Sequence, residues 1–283
     1  MCAVTGDRFP QGTRQPQVGR LSRNRWLSRE RAIPPKAIQR LEPAHAPPDL
    51  LAATVYSGER SIEAPSIDLP PDLVPNTRLR MDGLEFLSKI PSQVIPVAFF
   101  DPQYRGVLDK LAYGNEGKQR GQKRAALMQM PDDVLGSFIR GIDRVLIPSG
   151  HLFLWVDKFH LCQGVGQWLE ETNLGIVDLV TWDKATFGMG YRTRRRGEYC
   201  IVLQREPRKA KGVWTAHDIP DVVREKITRK SHTHAKPVDL QGELLAAVSH
   251  EGDFVIDPAA GSFSVLTAAV SRGRTFLGCD LNG

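Results

Sequence analysis

Residues 94–106 read VIPVAFFDPQYRG, an apolar run that ends in a carboxylate, a proline and an aromatic: Asp101, Pro102 and Tyr104. A second apolar run, DFVID (253–257), leads into DPAAGSFSVL (257–266), where Asp257 opens a turn of small residues ahead of a helical pattern. Small residues let a ligand approach the backbone closely, and the N-terminus of the following helix favours negative charge. Asp280 closes the next apolar run, at the place where an acid can hydrogen-bond ribose hydroxyls. Strand, small-residue turn, helix, strand and acid suit a nucleoside cofactor, though Gly261 alone stands for a G-x-G-x-x-G and a tight capped turn reads the same way. A third segment, GYRTRRRG (190–197), sets Tyr191 beside Arg192, Arg194, Arg195 and Arg196. Such arginines contact phosphates or read guanine edges, and the sequence does not separate the two roles.

The elements that must position these residues alternate from residue 76 onward. Strands are predicted at 94–100, 151–156, 176–182, 199–204, 253–257 and 274–280. Helical spacing is predicted over 131–150, ending at Pro-Ser-Gly, and over 158–172, 237–250 and 262–273. Strands separated by helical patterns imply an α/β fold with an open, mostly parallel, doubly wound sheet and helices on both faces. In such sheets ligands sit beyond the carboxyl ends of strands, where Asp101, Asp257 and Asp280 all fall.

Residues 1–75, rich in Pro, Arg and Ser, are expected to be a largely disordered N-terminal arm. They resemble a mitochondrial transit peptide in charge but lack an amphipathic helix pattern, and a nucleic-acid-binding arm fits them as well. The net charge is +6 and unevenly placed. Lysines and arginines outnumber acids nine to four in 1–50, six to two in 105–130 and eight to two in 189–212. Positive charge gathered into loop-like segments is how a polyanion-binding face is built, although solvated surface charge gives the same count. No apolar run approaches the roughly 20 residues of a membrane span. The four cysteines are scattered, which argues against a zinc site or disulfide framework and fits a reducing cytoplasm.

Taken in order, DPQY (101–104), HTHAKP (232–237) and DPAAGSF (257–263) resemble the signatures of the DNA amino-methyltransferases. That family carries (D/N/S)-P-P-(Y/F/W), H-P-x-x-K-P and D-P-F-x-G-x-G. With the catalytic segment first and the cofactor segment last, the order is similar to the circularly permuted β class. MDGLEFLSKIP (81–91), WDK (182–184) and GEYCIVL (197–203) also match positions of that class, and the resemblance covers roughly 78–283. It implies a Rossmann-like methyltransferase fold, S-adenosylmethionine as cofactor and double-stranded DNA as partner. It also implies a bacterial or phage origin, a cytoplasmic location without membrane association, and a place in restriction-modification; a homodimer is left open.

The resemblance implies transfer of a methyl group to adenine N6 after base flipping, since aspartate in the first motif position looks like the adenine enzymes and serine like those acting on cytosine N4. An exocyclic amine is a poor nucleophile, and acceptors at its hydrogens pull the nitrogen toward sp³ geometry and stabilise the charge that develops. Asp101 and the Pro102 carbonyl are the implied acceptors, and Tyr104 the stacking face for the flipped base. Asp257 and Ala259 are implied at the methionine end of the cofactor, Gly261 in the turn that binds it, Asp280 at its ribose, Lys236 and His232 beside it, and Asp82 near the adenine. Arg192, Arg194, Arg195, Arg196, Tyr191 and Arg105 are the implied DNA contacts, on target-recognition insertions at 105–130 and 185–231. The short 205–231 segment implies a short or relaxed recognition sequence. Three positions depart from the family: Gln103 replaces the second proline, Ala259 the aromatic and Phe263 the last glycine, where Phe263 is expected to crowd or pack against the cofactor. The rival readings are a cytosine-N4 enzyme, an inactive DNA-binding relative and an RNA methyltransferase.

Overall fold

Two strands that are apolar on both sides decide the layout. β2 (Ile95–Phe100) and β3 (Leu146–Val156) have no polar face, so layers must cover them above and below. Their side chains alternate between the two. Ala98, Phe100, Leu152, Leu154 and Val156 join one buried cluster, while Val97, Phe99, Phe153 and Trp155 join another. The first cluster is closed by α1 (Gly83–Lys89) and α2 (Asp132–Val145) through Phe86, Leu135 and Ile139. The second is closed by α5 (Val238–Ala247) and α6 (Ser264–Ser271) through Leu240, Leu244, Val265 and Ala268.

The computed structural model describes residues 60–102, 130–188, 192–227 and 236–282, all within the unit Asp49–Gly283. The remaining strands are β1 (Leu79–Arg80), β4 (Leu174–Asp183), β5 (Gly197–Arg205), β6 (Val222–Arg224), β7 (Phe254–Asp257) and β8 (Thr275–Asp280). They form one sheet in the order β1-β8-β7-β2-β3-β5-β4-β6. Every neighbouring pair is parallel except those made by β5, which runs antiparallel to both β3 and β4. The chain leaves β2 toward β3 on one side and leaves β7 toward β8 on the other. The sheet therefore changes winding direction between β2 and β7, and a crevice opens beyond the carboxyl ends of such a pair.

Local chemistry sets the boundaries. The Asp82 side chain accepts from the Leu84 and Glu85 amides at 2.9 and 3.1 Å and starts α1. The expected helix over 131–150 stops at Val145 instead, because Leu146 already pairs with Ile95 of β2. Pro-Ser-Gly is absorbed within β3 as an irregularity, with Ser149 at φ 61°. The expected helix over 158–172 divides into α3 (Lys158–Gln163) and α4 (Gly166–Leu169), since Gly164 takes φ 84°. Residues 60–75, grouped by composition with the N-terminal arm, lie against the body: the Ser61 amide donates to the Gly212 carbonyl at 2.8 Å and Leu73 is buried. Residues 1–59 and nearly all of the 105–130 insertion lie outside the described residues. No helix among the described residues is long and apolar enough to cross a membrane.

Candidate active site

Strand parity aims three carboxylates the same way. Val97 and Phe99 of β2, Val255 of β7 and Phe276 of β8 all belong to the cluster under α5 and α6. Two-residue alternation continues those rows to Asp101, Asp257 and Asp280. The three acids line one cavity of about 450 Å³ at the β2–β7 switch. Asp82, Lys236, Ala259 and Gly261 line it too, so all seven of these sequence-derived candidates come together. Pro102 follows Asp101 and is buried. Tyr104, Arg105, Tyr191 and His232 lie outside the described residues.

The cavity has two chemically different halves. One is apolar, with Met81 and Leu84 from the α1 side and Val134 and Phe138 from α2. The other is polar and backed by α5. The turn after β7 is pressed onto the start of α1: a Cβ on Gly83 would lie 2.2 Å from the Pro258 carbonyl oxygen and 2.4 Å from the Phe138 ring. Only glycine permits that approach. The Asp257 side chain accepts from the Ala259 amide at 3.1 Å, which fixes the turn. Burial pushes the Asp257 carboxyl up to about 8; the Ala259 amide pulls it part of the way back, and Asp101 and Asp280 add to the rise.

A chain of alternating charges runs from the polar half outward. Lys236 Nζ lies 2.9 Å from Asp101 Oδ2 and 2.9 Å from Glu198 Oε2. Lys184 pairs with the other Glu198 oxygen. Burial would raise the Glu198 carboxyl, but Lys236 and Lys184 outweigh it and hold the group down to about 2. The Lys236 ammonium also stands 5.4 Å over the Trp155 ring.

Phe263 departs from its expected place. It is buried and edge-on to Phe276 at 6.2 Å, with the Arg78 guanidinium 5.2 Å over its ring, so it packs in the core rather than beside the cavity. Its φ of 59° lies in the left-handed region that favours glycine, the residue the family motif has here.

The arginine cluster sits on the connection between β4 and β5. Arg192 and Arg194 are exposed, and Arg194 Nε donates to the Gly188 carbonyl at 2.6 Å. Arg196 is committed elsewhere, with Nη2 2.6 Å from Asp183 Oδ2 in a two-point pair across the strand ends. Arg195 lies 6.0 Å over the Phe159 ring. Glu198, Lys184, Trp155 and Gln241 were missed by sequence reasoning. The GEYCIVL and WDK segments were its nearest signals, but they marked strands and gave no partner for Lys236.

A family model described as DNA methylase matches residues 98–283. Type II methyltransferase M.HhaII of Haemophilus parahaemolyticus is 55% identical over 207 residues, covering 73% of this chain and 91% of the relative. Among solved structures, the M1.HpyAVI–SAM complex aligns with a TM-score of 0.52 at 16% identity, over 72% of this chain and 92% of that one. PvuII DNA methyltransferase (cytosine-N4-specific) aligns with a TM-score of 0.55 at 14% identity, over 73% and 84%. At these identities the structural likeness speaks for the fold.

Proposed function

The chain belongs to the DNA methylase family, and we propose that it transfers a methyl group from S-adenosylmethionine to adenine N6 at a specific sequence in double-stranded DNA. The observation that carries this reading is the meeting of Asp101, Asp257 and Asp280 on one cavity at the ends of three adjacent strands. The cavity fits the cofactor in kind, with an apolar half for a purine and a polar half for a charged amino acid. Asp257, Ala259 and Gly261 would hold its methionine end, Asp280 its ribose, and Asp82 the edge of its adenine. When bound, the cofactor supplies an electrophilic methyl on a sulfonium.

The chain's own residues prepare the acceptor. The flipped adenine enters beside Asp101, whose carboxylate and the Pro102 carbonyl accept from the two N6 hydrogens. This draws the lone pair out of the ring and aims it for in-line attack. The incoming amine competes with Lys236 for the Asp101 carboxylate, and Glu198 offers the ammonium a second anion to retain. Tyr104 is the proposed stacking face, and exposed Arg192 and Arg194 are the proposed phosphate contacts. Aspartate in the first motif position favours adenine over cytosine. The permuted order follows from the catalytic strand, β2, preceding the cofactor strands, β7 and β8, in the chain.

The test is methyl transfer from labelled S-adenosylmethionine to unmethylated duplex DNA, with nucleosides resolved after digestion, for the wild type and Asp101→Ala. Label in N6-methyladenine that vanishes in the variant is expected. Label in N4-methylcytosine would keep the chemistry and reverse the base, and binding of S-adenosylmethionine without transfer would remove the proposed activity.

A further inference from the structure

Two residues that line the cavity each bury a polar side-chain atom with no hydrogen-bond partner among the described residues: the side-chain oxygen of Gln241 and the indole nitrogen of Trp155. Each side chain is 1% exposed. Buried polar groups are nearly always paired, so two orphans on one wall point to a partner that arrives with a ligand. Their chemistry is complementary. The Trp155 indole can only donate, whereas the orphaned Gln241 oxygen can only accept. Both belong to the α5 side of the cavity, Trp155 at the end of β3 and Gln241 one turn beyond Lys236 and Pro237. The opposite half is apolar and suits a purine. Of the cofactor's parts, the α-amino acid alone offers a cation rich in hydrogens together with an anion rich in lone pairs.

The geometry points to Gln241 and Trp155 as the subsite for the α-amino-acid end of the cofactor, with Gln241 Oε1 accepting from its ammonium and Trp155 Nε1 donating to its carboxylate. This deepens the reading of the cavity as an S-adenosylmethionine site and rests on it. The Lys236 ammonium over the indole ring adds positive potential on the carboxylate side. No covalent step is involved; the pair orients the cofactor.

The assignment is tested by calorimetry on the full chain without DNA, with two ligands and three proteins. S-adenosylhomocysteine carries the amino acid and 5′-methylthioadenosine lacks it. Gln241→Leu and Trp155→Phe should each weaken S-adenosylhomocysteine by about tenfold or more, while 5′-methylthioadenosine binds within about twofold of wild type. Leucine removes an orphaned polar group, so the melting temperature without ligand should hold or rise, which verifies folding. Unchanged affinity for S-adenosylhomocysteine, or an equal loss for both ligands, would overturn the assignment while leaving the cofactor reading intact. A folded wild type that binds neither ligand would overturn both.

Discussion

Asp101, just past the end of β2, and Glu198 of β5 stand on either side of β3 and share one cation: Lys236 Nζ stands 2.9 Å from a carboxylate oxygen of each. Asp101 opens the turn proposed to receive the base, so whatever holds Lys236 also sets how freely the Asp101 carboxylate can be taken over by an amine.

Glu198→Gln should therefore act on turnover more than on cofactor affinity. With one of its two carboxylates neutralised, Lys236 presses harder on Asp101, and kcat should fall by on the order of tenfold, the factor that ~1.4 kcal/mol adds to a barrier. The Kd for S-adenosylhomocysteine should stay within about threefold of wild type. The substitution also changes acid stability. Glu198 is held at about 2 in the fold against an ordinary 4.5, so its stabilisation is whole above pH 4.5 and is lost as pH falls toward 2. Acid unfolding of the variant should be shallower across that window, as followed by circular dichroism.

Asp257 gives the opposite slope. Its carboxyl stands at about 8 in the fold against an ordinary 3.8, so between those values the folded chain keeps a proton that the unfolded chain gives up. The stabilisation is whole below pH 3.8 and is lost as pH rises through 8. Asp257→Asn should gain on wild type in denaturant titrations as pH climbs across that range. A positively charged cofactor favours the ionised carboxylate, so binding should release protons. Calorimetry in buffers of different ionisation enthalpy should detect that release in wild type and lose it in Asp257→Asn.

Phe263→Gly restores the glycine of the family motif but should not stabilise the protein. Relief of the left-handed backbone is worth about 1–2 kcal/mol, whereas emptying a buried phenylalanine site costs about 3–5 kcal/mol. A net loss of about 2 kcal/mol in urea unfolding is expected. An equal or higher stability would mean that the ring contributes little beside Phe276.

The arginines at 192–196 should separate by function. Arg192→Ala and Arg194→Ala should weaken DNA binding across all sequences and reduce the salt slope by about one each if each meets a phosphate. Arg196→Ala should instead lower the melting temperature, because its partner Asp183 then loses a two-point pair. Filter binding over a salt series, set beside thermal melts, distinguishes the two behaviours.

The parts of this design that sequence revealed are local. DPQY and DPAAG stand out because each interrupts an apolar run within a few residues, and the strands before them are long enough to show themselves. Glu198 did not stand out, because its role depends on Lys236, 38 residues away in the chain and adjacent only after the sheet forms. Arg196 looked like its neighbours until the pairing of Asp183 with Gly197 brought the acid across from it. Gln241 reads as one of three polar positions in its helix, beside Asp239 and Glu243, and its orphaned oxygen exists only in three dimensions. The end of α2 was misplaced because LIP continues the helical apolar spacing, and the competing pull came from Ile95, some 50 residues earlier.

The strand order also has a consequence in time. Asp101 emerges from the ribosome about 180 residues before Asp280, and among the described residues β1, the earliest strand, pairs with β8, the latest. At 5–20 residues per second, on the order of 10–40 s separates synthesis of the proposed catalytic turn from synthesis of the acid proposed for the ribose. A nascent chain therefore carries the proposed base-receiving motif well before the strand proposed to meet the ribose of the methyl donor.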